Sequence, residues 1–322
     1  MVDLERLVRG VLEGDRRSIA RAITIVEDRL PEAEALISAL RPHSGRAHII
    51  GVTGPGGSGK STLIRQLVKK FREMGLSVGV VAVDPTSPFT GGAFLGDRVR
   101  MQELAMDPQV FIRSMATRGS LGGVAEATRD AALILDASGK DIIIVETVGA
   151  GQLDVEVARV AETILLVMAP GLGDEIQAIK AGLMEIADIF VVNKADRENA
   201  EKTVSDLLSI IDVSPSRDWT PPIVKTVATT GEGIDELVDA IIRHGKYVEE
   251  EKRERGRMEV EAQLIDAIRR ELTSYALRLI INSPEYKDIL SRVQKGELTP
   301  EEAAATLVKD KLKETLRRQS HA

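Results

Sequence analysis

The sequence predicts an α/β fold built on a mostly parallel sheet, with helices added at both ends of the chain. Three observations lead there. Short β-rich runs alternate with helical stretches between residues 47 and 245, a glycine-rich turn joins the first of these runs to the helix after it, and the runs stop in a charged, helix-periodic tail. Regular alternation of strand and helix is the pattern of βαβ units around a parallel sheet.

Residues 1–46 read as an N-terminal helical extension. Leu4, Leu7, Val8 and Val11, then Ile19, Ile23, Val26 and Leu30, recur at helical spacing, interrupted by GDRRS and closed by Leu40-Arg41-Pro42. Residues 47–245 carry six strand-like runs: AHIIGVTG, SVGVVAVD, DIIIVETVG, TILLVMAP, IFVVNKAD and PIVKTVA. They are continuously apolar rather than alternating, so both faces of their sheet are expected to be covered. From 246 to 322 charge density rises, and KYVEEEKRERGRMEVEAQLIDAIRREL reads as one long helix with apolar residues every three or four positions. An apolar stripe on such an arm needs a partner, either its own body or a second copy, and 246–322 is read as a C-terminal dimerisation arm.

Composition narrows the chemistry. With 43% hydrophobic and 29% charged residues the 322-residue chain is globular, and aromatics at 3% leave little with which to stack bases. A net charge of -7 repels polyphosphate backbones, so no nucleic-acid partner is expected. The absence of Cys excludes disulfides and thiolate chemistry, and four His at 43, 48, 244 and 321, with no i, i+4 pair, argue against structural zinc. No apolar run approaches the roughly 20 residues of a membrane helix. Asp3, Glu5, Glu13, Asp15, Glu27 and Asp28 are foreign to signal and transit peptides. A cytoplasmic protein with no membrane partner is the expectation.

Gly54-Pro55-Gly56-Gly57-Ser58-Gly59-Lys60-Ser61 fits G-x-x-x-x-G-K-[ST] between a strand and a helix, the context of a P-loop. Glycines let backbone N–H groups converge on phosphate oxygens at a helix N-terminus, Lys60 can reach the β- and γ-phosphates, and the Ser61 hydroxyl can ligate Mg2+. Thr62 completes the set of phosphate contacts. Glu146 ends a buried run and precedes Gly149 by three, like D-x-x-G with Glu for Asp; the carboxylate would hold Mg2+ directly or through water, and the Gly149 N–H would sense the γ-phosphate. Asp84 and Asp97 could enter the metal shell, although Asp84-Pro85 also suits a turn and Asp97 an N-cap. Arg98, Arg100 and Arg118 offer positive charge, and no spacing rule selects among them.

Asn193-Lys194-Ala195-Asp196 follows the run IFVV. A carboxylate at Asp196 can accept from both N1–H and the 2-amino group of guanine, donors that adenine lacks, which favours GTP and GDP. Val227 to Gly233 follows PIVKT, where a loop contacting the guanine carbonyl is expected. Gln152 lies three residues past Gly149, offset from the place directly after that glycine where small regulatory GTPases hold their water-orienting Gln. Slow intrinsic turnover is therefore expected.

VTGPGGSGKSTL, VAVDPTSPFTGGAFLGDRVRM, ETVGAGQ, APGLGDEIQAIKAGLMEIAD and VVNKAD occur in series over about residues 50–200. In this the chain resembles the methylmalonyl-CoA mutase-associated GTPases of MeaB/ArgK type, older members of which were labelled lysine-arginine-ornithine transport ATPases. The resemblance implies a P-loop fold related to metallochaperone GTPases, GTP hydrolysis, and a homodimer held by the C-terminal arm. It implies Lys60 and Ser61 on phosphate and Mg2+, Asp84, Asp97 and Glu146 around the metal, and Asn193, Lys194 and Asp196 on guanine. Gly171 to Lys180 is similar to the family's third switch, with Asp174, Gln177 and Lys180 as relay positions toward the mutase. The implied partner is an adenosylcobalamin-dependent methylmalonyl-CoA mutase or a related acyl-CoA mutase, whose cofactor loading and protection are gated by GTP. A nickel-type metallochaperone GTPase and an ATPase of amino-acid transport are the competing readings.

Overall fold

The computed structural model describes residues 3–84, 102–116, 121–147, 160–171, 183–211 and 219–319. It divides into two compact units, Met1–Glu249 and Glu250–Ala322.

The first unit opens with α1 (Leu4–Leu12), α2 (Arg16–Glu27) and α3 (Ala33–Leu40). Asp3 and Asp15 cap the first two helices by accepting from the backbone N–H groups of Arg6 and Ser18, which satisfies donors left open in a first turn. There follow β1 (His48–Thr53), α4 (Lys60–Glu73), β2 (Val78–Asp84), α5 (Gln102–Ala105), β3 (Val110–Ala116), α6 (Leu121–Ala137) and β4 (Ile142–Glu146). Next come β5 (Thr163–Met168), α7 (Leu183–Ile186), β6 (Ile189–Asn193), α8 (Ala200–Ile211) and β7 (Ile223–Thr226). The helix α9 runs from Ile234 to Ile281, so the step from 245 to 246 falls inside continuous helix and the division between units comes at Glu249.

The seven strands form one sheet in the order β3-β2-β4-β1-β5-β6-β7, and every neighbouring pair is parallel. The strands β4, β5 and β6 are buried along their whole length, because helices cover both faces. On one face α1, α2, α3 and α6 share a core with Val81, Val83, Ile143 and Val145. On the other, Leu63, Ile64, Leu67 and Phe71 of α4 and Ile234, Leu237 and Ile241 of α9 pack with Ile50, Val52, Ile144 and Val167. Each such side chain, fully buried, contributes about 1.5–3 kcal/mol. The N-terminal helices are thus a layer of the sheet's own core. The Asp136 carboxylate fixes their junction to β1 by accepting from the N–H groups of Gly45, Arg46 and Ala47.

The strand β3 has no counterpart among the six runs read from sequence. VFIRSMA is broken by Arg113 and Ser114, and the strand lies at the edge of the sheet. Arg113 donates to Glu27 Oε2 at 2.5 Å and to Thr24 Oγ1 at 3.2 Å, so its charge is matched from α2. At the other end of the strands, Thr163 Oγ1 lies 2.7 Å from both His48 Nε2 and His244 Nδ1, and Trp219 donates to the Asp188 carbonyl. These side chains tie the starts of β1, β5 and β6 to α9.

The second unit comprises the remainder of α9, α10 (Pro284–Gln294) and α11 (Pro300–Gln319). Ile280, Ile289, Ala303 and Leu307 form its small core with Tyr286, Val293 and Leu298. Thr299 and Glu302 make a reciprocal capping box at the start of α11. Ile265, Ile268, Leu272, Tyr275 and Leu279 recur at three- and four-residue spacing on α9, and all are exposed. Among the described residues, no helix is long and apolar enough to cross a membrane.

Candidate functional site: a phosphate loop and a base-side loop

Topology fixes where a ligand can sit. From β1 the chain passes to β2 and β3 on one side, returns to β4 beside β1, and then places β5 on β1's other flank. The crevice of such a sheet opens at the carboxyl end of the central strand. There β1 ends at Thr53 and the glycine-rich turn begins.

Two glycines of that turn are required by space and backbone. Gly54 has φ 138°, and a Cβ there would run into the Val167 carbonyl of β5. Gly59, at φ 94°, caps α4, and a Cβ there would collide with Asn193 Nδ2. Lys60 and Ser61 then occupy the first turn of α4, where open N–H groups and the helix dipole favour an anion. Lys60 is 7% exposed and its Nζ donates to the carbonyls of Gly54 at 2.7 Å and Pro55 at 3.1 Å. The ammonium therefore lies over its own loop.

Glu146 is the last residue of β4, in register with Val52 of β1 and Ala82 of β2. Although only 6% exposed, it accepts from Ser61 Oγ at 2.7 Å. A serine hydroxyl beside a carboxylate at the phosphate end of the loop is a hard-oxygen donor set, the kind that suits Mg2+. Thr147, one residue on, donates from its backbone to the Val52 carbonyl and from its hydroxyl to Thr53 Oγ1, which holds the ends of β1 and β4 together.

The second half of the site is built from β6 and β7. Asn193, at 1% exposure, donates from Nδ2 to the Ser58 carbonyl at 2.8 Å and accepts at Oδ1 from Thr226 Oγ1 at 3.2 Å and the Ala228 N–H at 3.1 Å. Lys194, in the left-handed region at φ 58°, sends Nζ to the Gly57 carbonyl at 2.6 Å. Both side chains thus brace the phosphate loop. Asp196 stands exposed in the following turn. The loop Val227–Gly233 closes on itself through a bridge between Val227 and Glu232. Gln66 of α4 donates to its Ala228 carbonyl at 2.9 Å. Nothing in the motif spacing singles out Gln66 or the Thr53–Thr147 pair, since their partners are backbone and a distant strand end.

Gly56, Gly57, Ser58 and Thr62 lie in the same loop and helix start, and Asp84 closes β2. Asp97, Gly149, Gln152, Asp174, Gln177, Lys180, Arg98, Arg100 and Arg118 lie outside the described residues. A cleft of about 650 Å3 between α2, α3 and α6, lined by Val26, Leu30, Ile37, Glu126 and Asp130 among others, shares no residue with this site.

A strand, a phosphate-binding turn, a helix and an N-K-x-D turn braced against that phosphate loop are the framework of a GTP-binding P-loop protein, and the comparisons agree. Residues 19–278 match the family described as Methylmalonyl Co-A mutase-associated GTPase MeaB. The chain belongs to that family. A Pyrococcus horikoshii protein named for GTPase activity is 51% identical over 321 residues, covering 97% of this chain and 99% of its own. GTPase ArgK of Escherichia coli is 40% identical over 249 residues, with 74% and 75% covered. The mouse protein named Methylmalonic aciduria type A homolog, mitochondrial, is 35% identical over 260 residues, 74% of this chain and 62% of that one. A crystal structure of a LAO/AO transport system kinase superposes with a TM-score of 0.64 at 29% identity, covering 96% and 98%. This MeaB-family chain is a GTP hydrolase with a P-loop NTPase fold.

Proposed function

We propose that this MeaB-family GTPase is a homodimeric, cytoplasmic chaperone of an adenosylcobalamin-dependent methylmalonyl-CoA mutase or a related acyl-CoA mutase. GTP binding and hydrolysis would gate the partner's cofactor loading and protection. The observation that carries this reading is the match over residues 19–278 to a family described by its association with that mutase.

Hydrolysis needs a water oxygen to attack the γ-phosphorus in line while the bond to the β–γ bridging oxygen breaks, its electron pair remaining on GDP and the water's protons leaving with phosphate and solvent. Little covalent chemistry falls to the protein, and positioning with charge neutralisation supplies the rate. The N–H groups of Gly56 to Thr62 receive the phosphates, and Lys60 exchanges its carbonyl partners at Gly54 and Pro55 for the β- and γ-oxygens. Ser61 and Glu146 would hold Mg2+, with Asp84 and Asp97 as further oxygen donors; when bound, the ion neutralises charge on the β- and γ-phosphates. Asp196 accepts from guanine N1–H and the 2-amino group, while Asn193 and Lys194 keep its turn against the phosphate loop. The Gly149 N–H reports the γ-phosphate, Gln152 stands near the attacking water, and Asp174, Gln177 and Lys180 relay nucleotide state to the partner.

Nucleotide and partner can be coupled this way only if each favours one arrangement of the relay segment, and the coupling must then be reciprocal. GTP turnover measured with and without added mutase tests the reading. Stimulation that is lost in Lys180→Ala and Asp174→Ala, with basal turnover within a fewfold of wild type, is the expected result. An unstimulated wild-type enzyme that fails to co-purify with any acyl-CoA mutase would refute the chaperone role.

A further inference from the structure

Ala228 is the second residue of the base-side loop, and it is 3% exposed. Both of its backbone groups are held by side chains from other elements: the N–H by Asn193 Oδ1 at 3.1 Å, and the carbonyl by Gln66 Nε2 at 2.9 Å. The rest of the loop turns back on Val227, whose N–H donates to Glu232 and whose carbonyl accepts from Thr230 and Gly231. Ala228 is thus where the loop is fastened to the sheet on one side and to α4 on the other.

The fastening on α4 is one face of that helix. Lys70, one turn beyond Gln66, pairs with Asp235 in the first turn of α9, immediately after the loop. Residues at i and i+4 share a helix face, so Gln66 and Lys70 meet the two ends of the same loop. The two contacts differ in weight. The Lys70–Asp235 pair is largely exposed and screened by solvent. The Ala228 carbonyl is buried, and without Gln66 it would lose its partner in a place where water enters poorly. The N-terminus of α4 is the phosphate loop itself, so one rigid helix carries both the phosphate contacts and this loop's anchor.

We propose that Gln66 is a positioning residue for base recognition, which holds the loop Val227–Gly233 through the Ala228 carbonyl and thereby sets how long a guanine nucleotide stays bound. The proposal rests on the reading that this loop and Asp196 face the base. Gln66 touches no nucleotide in this scheme. Its effect passes through Ala228 and is confined to the base half of the ligand.

That confinement gives the test. In the full-length protein, Gln66→Leu keeps the side chain's bulk and removes the donor, while Gln66→Lys keeps a donor of similar reach. Dissociation of a fluorescent GDP analogue, chased with excess GDP, is expected to quicken about 2- to 12-fold in Gln66→Leu, the factor set by one lost hydrogen bond. The Lys variant should recover most of the wild-type rate. Affinity for inorganic tripolyphosphate, which engages the phosphate loop alone, should be unchanged in both. Unaltered GDP dissociation in Gln66→Leu, or an equal loss of tripolyphosphate affinity, would overturn the proposal, the second by showing general loosening of the domain. Asp196→Asn serves as the control for the underlying reading. If it weakens GDP and Gln66→Leu does not, only the Gln66 proposal fails; if Asp196→Asn leaves GDP binding intact, the base assignment falls and the proposal with it.

Discussion

Replacing Asn193 by alanine should cost this protein more than any other single polar substitution near the site, and the structure gives the size. The amide makes three buried contacts, to the Ser58 carbonyl, the Thr226 hydroxyl and the Ala228 N–H. Alanine leaves two backbone groups, one acceptor and one donor, without partners. At about 1–3 kcal/mol for each such orphan, the loss is about 2–6 kcal/mol, a large share of a typical stability of about 5–15 kcal/mol. Thr226→Val is the internal comparison: it removes one of the three bonds and leaves Oδ1 with Ala228, so about 1 kcal/mol is expected. Because the chain has two compact units, the unfolding of the first should be followed by its own probe, and the sole tryptophan, Trp219, lies there. Urea unfolding of nucleotide-free protein, read by Trp219 fluorescence, should show the Asn193→Ala midpoint well below that of Thr226→Val. A loss under about 1 kcal/mol for Asn193→Ala, or one no larger than for Thr226→Val, would show that the amide is not the brace described.

Lys60→Ala should abolish GTP turnover while far-UV circular dichroism stays at wild type, since its Nζ contacts with Gly54 and Pro55 go to carbonyls of its own loop and not to the hydrophobic core; retained turnover would contradict the phosphate-loop assignment. Ile268→Asp with Leu272→Asp places charge in the exposed stripe of α9 and should convert dimer to monomer by light scattering, without loss of GTP binding; a wild-type protein that is monomeric at micromolar concentration would remove the dimer. Burial in the cleft beside α2 and α3, and secondarily the neighbouring Glu126, push the Asp130 carboxyl above its ordinary range. A carboxyl raised in the fold is tolerated better protonated, so its cost appears as pH rises from the unfolded value near about 3.9 through the raised one and persists above. Asp130→Asn should accordingly raise the Tm at pH 7 and lose that advantage below about pH 4; an equal gain at both pH values would point to a cause other than charge.

What the sequence disclosed follows from how local each signal is. The runs HIIGVT, IIIVE, TILLVM and IFVVN are apolar between their ends because they lie in the middle of a covered sheet, so they can be read without knowing their neighbours. The edge strand VFIRSMA is not, because Arg113 becomes acceptable only once Glu27 and Thr24 arrive from α2. Likewise, the periodicity of the tail marks a helix but not its start: α9 begins at Ile234, and the charge step near 246 changes its surroundings rather than its backbone. Within the candidate site, Lys60, Ser61, Glu146 and Asp196 can be proposed from sequence because a bound nucleotide would need those residue types in that order. Gln66 and Thr147 cannot, since each acts on another part of the protein and no ligand dictates its identity.

The geometry gives Asn193, the first residue of the N-K-x-D turn, a structural task that suits an amide of its length. One small planar group must give a hydrogen to the Ser58 carbonyl and accept two, from Thr226 and Ala228. Aspartate has no hydrogen to give, leucine has nothing to give or accept, and glutamine is one methylene too long for a pocket in which Asn193 Nδ2 already presses against Gly59. The constraint is mutual, because any side chain at Gly59 would occupy the place of that amide. Lys194 adds a second strut to Gly57, so the phosphate loop and the turn bearing Asp196 are held as one piece. Under the proposal that Asp196 reads guanine, discrimination would be more than a property of that one carboxylate. A carboxylate can count the two donors of guanine only if its distance from the phosphates is fixed, and Asn193 and Lys194 fix it.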